Sequence, residues 1–141
     1  VKELGLNYRM TDFQAALGYF QLKRYKKELK TRKKNAKLYE LFLSNLKNIR
    51  FKKFQKKASY FIFQIFSKQR NKIIEKLKKE RVGFSIHYAR PLHLMTYYRK
   101  NQNNRTKLLK SEKYSKENIS LPVHSEISKK QIIYISKLLK I

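Results

Sequence analysis

Three histidines are the residues of this sequence whose chemistry is easiest to use at neutral pH. They are His87, His93 and His124, and their separation does not give the i, i+4 spacing of a helical zinc site. Acidic co-ligands are sparse, with 9 Asp and Glu in 141 residues, and the absence of cysteine excludes thiolate metal sites and disulfides. The sequence therefore predicts no metal site, and each histidine alone is more often a surface or hydrogen-bonded residue than a catalyst.

His87 is the histidine best placed to meet a ligand. The stretch Phe84–His87 has the pattern of a short strand, and Tyr88 follows it directly. Side chains at the end of a strand are held rigidly and still reach into the adjoining loop, which here contains Arg90 and His93. We therefore expect a ligand site at this strand end.

A polar triplet, Asn7-Tyr8-Arg9, lies directly before a well-marked helix start. Thr11 and Gln14 have the spacing of a capping box, in which each side chain satisfies a backbone N–H at the helix N-terminus. The triplet thus stands on irregular backbone, from which its side chains are free to reach elsewhere. Taken alone, Asn7 is most simply a turn or cap residue.

Two amphipathic helices are predicted at the start of the chain, from about Thr11 to Leu29 and from about Arg32 to Leu46. Apolar residues recur in each at a spacing of three and four, which predicts a buried stripe. Gly18 lowers helix propensity and indicates a close approach by another element. The stripes consist of Met10, Phe13, Leu17 and Phe20 in the first helix and of Ala36, Tyr39, Phe42 or Leu43, and Leu46 in the second.

Strand and helix patterns alternate through the rest of the chain. Gly83 follows one of the predicted helices and is expected to cap it in the left-handed conformation. The order of elements predicts an α/β (α+β) fold, with a small sheet covered by helices. The predicted strands are Ser59–Phe66, Phe84–His87 and Asn118–Leu121; the predicted helices run from about Gln69 to Arg81, from about Leu108 to Lys116, and onward from a capping box at Ser128 and Gln131, with a loop from Tyr88 to about Asn104.

The net charge is the most unusual feature of the composition. The chain has 36 Lys and Arg against 9 Asp and Glu, a formal net charge of +27. This charge suits nucleic acid or an anionic membrane, but the basic residues decorate every predicted helix instead of one stripe. Zinc-finger, basic-zipper and RNA-recognition patterns are also absent. A solvated lysine-rich surface is therefore favoured, and a basic nucleic-acid-binding module is the alternative.

Several other classes are excluded by what the sequence lacks. No run approaches the ~20 apolar residues of a membrane helix, so no membrane association is expected. With 3 glycines, the chain has no glycine-rich phosphate loop of the Rossmann or P-loop type. No recognisable nucleophile elbow or other self-sufficient active site is present. Since the chain also does not begin with Met, we expect a piece of a longer protein.

Three motifs stand in order along the chain: GLNYRMTDFQAALGYFQL at residues 5–22, VGFSIHYARPLHLMTYYR at residues 82–99, and ISLPVHSEIS at residues 119–128. Together they resemble the DegT/StrS family of pyridoxal-phosphate-dependent sugar-nucleotide aminotransferases. The resemblance implies the C-terminal part of a fold-type-I transferase. This part would comprise a helical lead-in of about residues 1–47 and a small α/β domain of about residues 48–141.

The resemblance also implies where the catalytic lysine stands. In the family, pyridoxal 5'-phosphate is held by a lysine of the large domain, upstream of the NYRM segment, and no lysine here follows that lysine motif. We therefore expect no catalytic residue within this chain and no activity of the chain in isolation. A minority branch of the family, in which the lysine is replaced, dehydrates a sugar, and that activity is an alternative.

Finally, the resemblance implies roles for residues at the interface of a homodimer. Asn7 would donate its amide N–H to the cofactor phosphate of the partner subunit. Arg9 would contact that phosphate or the substrate, or brace its loop. His87 and Tyr88 would approach the sugar nucleotide from the partner subunit, and His93 would contact substrate or form a structural hydrogen bond.

The reaction implied by the family is transfer of an amino group from glutamate to a keto-sugar linked to a nucleotide. The products of such enzymes usually feed the assembly of surface polysaccharide. We therefore expect a cytoplasmic enzyme, with pyridoxal phosphate as the electron sink and the protein supplying orientation and selectivity.

Overall fold

The structure, a computed structural model, describes residues 8–101 and 107–140 of the chain. Its centre is a three-stranded antiparallel sheet in the order β1-β2-β3. The predicted small sheet with helices over it is confirmed. The elements are α1 (Asp12–Leu43), β1 (Arg50–Phe51), β2 (Phe63–Phe66), α2 (Arg70–Lys79), a 3-10 turn (Leu92–Leu94), α3 (Thr96–Asn101), α4 (Leu109–Glu117), β3 (Asn118–Leu121) and α5 (Lys129–Leu138).

The prediction of two N-terminal helices is wrong, because α1 is one helix of 32 residues. Neither Gly nor Pro stands at its middle, and the Thr31 hydroxyl donates to the carbonyl oxygen of Lys27 at 3.2 Å within the helix. The capping box at its start is confirmed: the backbone N–H of Gln14 donates to Thr11 Oγ1 at 3.3 Å, and that of Thr11 to Gln14 Oε1 at 3.0 Å.

The two halves of α1 differ in burial. In the second half, Ala36, Tyr39 and Leu43 are buried, as the second predicted stripe requires. Within the described residues, nothing lies within 4 Å of a Cβ built on Gly18, so the close approach predicted there has no partner in this part of the chain. The first predicted stripe is exposed: Met10 69%, Phe13 79%, Leu17 54% and Phe20 61%.

Strand β3 is the best-predicted element of the sheet. It spans Asn118–Leu121 as expected, all four of its residues are buried, and Pro122 follows it. Its partner β2 is shorter than predicted, because Tyr60 has a φ of 50° and its ring stacks on Phe54, so the chain becomes extended only at Phe63. The register pairs Phe63 with Leu121.

The predicted strand at Phe84–His87 is reduced to one bridge. Only Ser85 pairs with Ser120, through two backbone hydrogen bonds of 3.1 and 2.7 Å. Upstream, the predicted glycine cap is also wrong. Arg81, with a φ of 53°, takes the left-handed conformation two residues after α2 ends at Lys79, and none of the described glycines has a positive φ.

Helix α5 packs on α1 and closes the core. Ile132, Ile135 and Leu139 are buried, and the predicted capping box of Ser128 and Gln131 is present. Two polar side chains of α1 donate hydrogen bonds to the backbone that follows β3. Asn35 Nδ2 donates to the carbonyl oxygen of His124 at 3.0 Å, and the Tyr39 hydroxyl donates to the carbonyl oxygen of Pro122 at 2.9 Å.

Candidate functional site

A cavity of about 560 Å³ opens beside the end of the sheet at which Phe66 of β2 pairs with Asn118 of β3. Strand β2, the segment that follows the Ser85 bridge, and helix α4 each contribute to its lining. Much of that lining is apolar, as in small-molecule sites that place a few polar groups among hydrophobic walls. The apolar members are Phe66, Pro91, Leu92, Met95 and Tyr114.

His87 lines this cavity and is half-buried. Its Nδ1 lies 2.9 Å from Ser120 Oγ on β3, and its carbonyl oxygen accepts from Gln64 Nε2 at 2.6 Å. These two contacts hold the imidazole on the sheet. Because Nδ1 is engaged, Nε2 is the ring nitrogen left for a ligand within the described part of the molecule.

Tyr88 and Arg90 also line the cavity, and both are exposed. The Tyr88 side chain is 76% exposed, so its hydroxyl is available to a ligand at the open side. The guanidinium of Arg90 brings a fixed positive charge to the same lining, and a planar fork of donors suits carboxylate or phosphate. The sequence placed Arg90 in this loop without assigning it a role.

His93 does not line the cavity. Its Nε2 lies 3.3 Å from Glu112 Oε1 on α4, and the two side chains are 13% and 25% exposed. Of the two roles that the resemblance left open for His93, this geometry favours the structural hydrogen bond.

Asn118 is the lining residue that sequence reasoning missed. It is 2% exposed, and its Nδ2 donates to the carbonyl oxygens of Tyr114 at 2.9 Å, Ser115 at 3.3 Å and Tyr88 at 3.3 Å. Only the NH₂ side of an amide faces carbonyl oxygens favourably, so these contacts fix its orientation. Asn118 Oδ1 is buried and has no hydrogen-bond partner among the described residues. The only signal in the sequence was an Asn at the start of a predicted strand.

Arg9 lies at a different place from His87. It lines a separate surface depression with Tyr8, Met10 and Gln14, and none of these residues lines the His87 cavity. The structure therefore does not bring Arg9 to His87 within this chain. Asn7 lies outside the described residues.

The residues that line the cavity do not match the groups that pyridoxal phosphate requires. That cofactor requires a lysine for covalent attachment and several donors for its phosphate. No lysine lines the described cavity, and Arg90 is the one strongly basic side chain that does. The cavity alone therefore does not fit the cofactor. Its hydrogen-bonding groups, apolar walls and single guanidinium fit part of an anionic ligand that carries hydroxyl groups.

The described ranges contain neither a metal-binding cluster nor a membrane-spanning helix. Residues 8–101 and 107–140 hold no cluster of three or more His, Asp or Glu side chains arranged for a metal ion. None of the helices in this part of the chain combines the length and the apolarity that crossing a bilayer requires.

Sequence comparison gives one family and several relatives. A model of the DegT/DnrJ/EryC1/StrS aminotransferase family matches residues 1–140. The chain is 31% identical over 147 aligned residues to an uncharacterized protein of Methanocaldococcus jannaschii, covering 98% of the chain and 38% of that protein. It is 29% identical to a UDP-4-amino-4,6-dideoxy-N-acetyl-beta-L-altrosamine transaminase of Campylobacter jejuni, covering 94% of the chain and 37% of the enzyme.

Solved structures agree with the sequence comparison. Helicobacter pylori PseC, an aminotransferase involved in the biosynthesis of pseudoaminic acid, superposes with a TM-score of 0.83 at 26% identity, covering 98% of this chain and 38% of that one. The PLP form of a putative sugar aminotransferase of Streptococcus pneumoniae superposes with a TM-score of 0.84 at 28% identity. The match covers 94% of this chain and 35% of that one. The chain thus spans well under half the length of the proteins it matches.

Proposed function

Because the chain belongs to the DegT/DnrJ/EryC1/StrS aminotransferase family, we propose that it takes part in moving an amino group from glutamate to a keto-sugar carried by a nucleotide. The observation that carries this proposal is the cavity of about 560 Å³ that His87 and Tyr88 line, since both residues belong to the second of the three motifs. The enzyme is the full-length protein, and this chain is its C-terminal part.

The chain's own residues suit the binding of a sugar nucleotide. His87 Nε2 and the Tyr88 hydroxyl can each exchange hydrogen bonds with sugar hydroxyls. Arg90 pairs with an anionic group, either phosphate or the carboxylate of glutamate. Phe66 and Leu92 pack on the apolar faces of the ligand and exclude water, which strengthens the polar contacts.

The cofactor belongs to residues outside this chain in our proposal. Pyridoxal 5'-phosphate, when bound, supplies the electron sink that amino transfer needs. Asn7 would donate an N–H to its phosphate across a homodimer interface, and Arg9 would serve that phosphate or the substrate, or brace its loop. Since none of the described residues that line the cavity is a lysine, we expect the isolated chain to be inactive.

A homodimer is part of the same proposal. The exposed apolar stripe supports it, because its four large apolar side chains are each more than half exposed, and large exposed apolar patches often mark protein–protein interfaces. We place the reaction in the cytoplasm, where nucleotide-linked sugars are made, and we expect its product to enter surface polysaccharide. The names of the Campylobacter and Helicobacter relatives support an amino-sugar product.

An absorbance spectrum of the full-length protein with pyridoxal phosphate tests the proposal. We expect a visible band that borohydride reduction fixes to a lysine peptide, and that glutamate converts to the pyridoxamine form in an unreduced sample. Cofactor that binds but never becomes attached to the protein would instead indicate the sugar dehydratase branch. Absence of any bound cofactor would overturn the proposal and favour a basic binding protein.

A further inference from the structure

Residues 89–101 contribute to the cavity wall and have few hydrogen bonds to the other residues that the structure describes. The only hydrogen bond between this segment and the other described residues joins His93 to Glu112, at 3.3 Å. The remaining backbone hydrogen bonds of the segment outside α3 are local. They run from the Leu94 N–H to the Pro91 carbonyl and from the Met95 N–H to the Leu92 carbonyl, both at 3.0 Å. The single contact of His93 with Glu112 is therefore well placed to control the position of the segment.

The contact connects two elements that both contribute to the cavity lining. His93 directly follows Leu92, which lines the cavity from the segment. Glu112 directly follows Ser111, which lines it from α4. The His93 and Glu112 side chains themselves stay outside the lining and are only 13% and 25% exposed. Partial shielding from water strengthens such a hydrogen bond.

We propose that His93 is a positioning residue, which holds the 89–101 segment against α4 through Glu112 and so places Arg90, Leu92 and Met95 along the substrate. It does not touch the substrate itself. Its inner counterpart is Asn118, whose Nδ2 donates to the Tyr88 carbonyl oxygen at 3.3 Å. The substrate part of this proposal rests on the proposed function, whereas the hold on the segment does not.

Hydrogen exchange on the full-length protein tests the hold directly. We expect His93→Ala and Glu112→Ala each to speed amide exchange in residues 92–99 by about tenfold, because local opening becomes easier. The double variant should be no faster than the single ones, since all three remove the same contact. His93→Gln retains a donor and should behave like the parent. His124→Ala and Glu75→Ala, at exposed positions, are the matched controls.

The half-reaction with glutamate tests the consequence for the substrate. We expect the KM for glutamate to rise about fivefold in His93→Ala and in Glu112→Ala, with the limiting rate nearly unchanged, as for a loss of ground-state positioning. His93→Gln should restore the parent KM. A residue with a purely structural role away from the site would change stability without this split between KM and kcat.

Three outcomes would overturn the proposal. Unchanged exchange in both alanine variants would show that the contact does not hold the segment. A loss of limiting rate in His93→Ala alone, with a normal Glu112→Ala, would show that His93 acts on the substrate directly. Faster exchange with an unchanged KM for glutamate would show that the segment is not a wall of the glutamate site. If the parent lacks aminotransferase activity, the proposed function fails, and the exchange comparison still decides the role of His93.

Discussion

Tyr39 is the side chain on which burial has the clearest electrostatic effect. It is 0% exposed, and its hydroxyl donates to the carbonyl oxygen of Pro122 at 2.9 Å. Burial raises the pKa of this phenol well above its ordinary value of 10.0. Well below pH 10 the phenol is neutral in both the folded and the unfolded chain, so its titration adds no pH dependence to stability. Above pH 10 the unfolded chain loses the proton and the folded chain keeps it, so stability falls as pH rises.

Tyr39→Phe should therefore separate two effects. At pH 7 it should cost about 1 kcal/mol of unfolding free energy, because the Pro122 carbonyl loses its donor. As pH rises from 9 to 11, the unfolding free energy of the variant should fall by about 1 kcal/mol less than that of the parent. The reason is that phenylalanine has no hydroxyl to lose a proton when the chain unfolds. Denaturant unfolding at both ends of this window measures the difference. Tyr19→Phe, at an exposed position, controls for the lysines that also titrate there; an equal slope in the two variants would contradict the prediction.

The candidate site shows how far residue types alone lead. His87 and Tyr88 line the cavity as expected, although the strand predicted before them is reduced to a bridge at Ser85. The contacts of His93 and Asn118 do not follow from the sequence, because they depend on α4 packing beside a segment far away in sequence. The sequence alone does not show whether His93 contacts a substrate or forms a structural hydrogen bond. In the structure, its contact with Glu112 indicates the structural role.

At the scale of single elements, the continuity of α1 is the largest departure from the sequence pattern. The pattern suggested a break between Leu29 and Arg32 because the apolar stripe changes there, but lysine-rich helix formers carry the backbone through. Thr31→Pro should cost about 3 kcal/mol of helix stability, since it removes a backbone N–H inside the helix and its ring clashes with the preceding turn. Circular dichroism on thermal unfolding measures it, with Thr31→Ala as control. Equal melting of the two variants would indicate two separate helices.

The two capping boxes have the same chemistry and different surroundings. Ser128→Ala should lower the free energy of unfolding by about 1 kcal/mol. Helix α5 closes the core, so the loss of its N-terminal cap destabilises the folded chain. Thr11→Ala in this chain should cost much less, since the first half of α1 is exposed and can fray without opening the core. Urea unfolding of both variants provides the comparison. A similar loss from each would mean that the start of α1 is packed as firmly as α5.

Strand lengths show why element types are easier to predict than element ends. The run from Ser59 to Phe66 has strand chemistry throughout, yet only its last four residues pair, because the left-handed backbone of Tyr60 comes first. The run from Phe84 to His87 has the same chemistry and forms a single bridge at Ser85. Aromatic and β-branched residues indicate an extended chain, whereas the partner strand decides how much of it pairs.

At the scale of the whole molecule, the chain's own core accounts for only part of its apolar surface. The second half of α1, the sheet and α5 bury one another, and the motif-bearing first half of α1 is left exposed. Its stripe is predicted to be buried, and within the described residues it is exposed, because periodicity shows which residues share a face and says nothing about what covers that face. The Methanocaldococcus and Campylobacter relatives are more than twice as long as this chain, and none of the residues that the structure describes covers the stripe.

A second subunit is the cover that the proposed function requires, and charge placed on the stripe tests it. Phe13→Asp combined with Phe20→Asp in the full-length protein should convert a dimer to a monomer, because two carboxylates would have to be desolvated at the interface. Light scattering after size exclusion measures the mass. Leu41→Asp is the matched control, since Leu41 is 64% exposed on the buried half of the same helix and should leave the dimer intact. A dimer that survives the double substitution would show that the partner subunit does not cover this stripe.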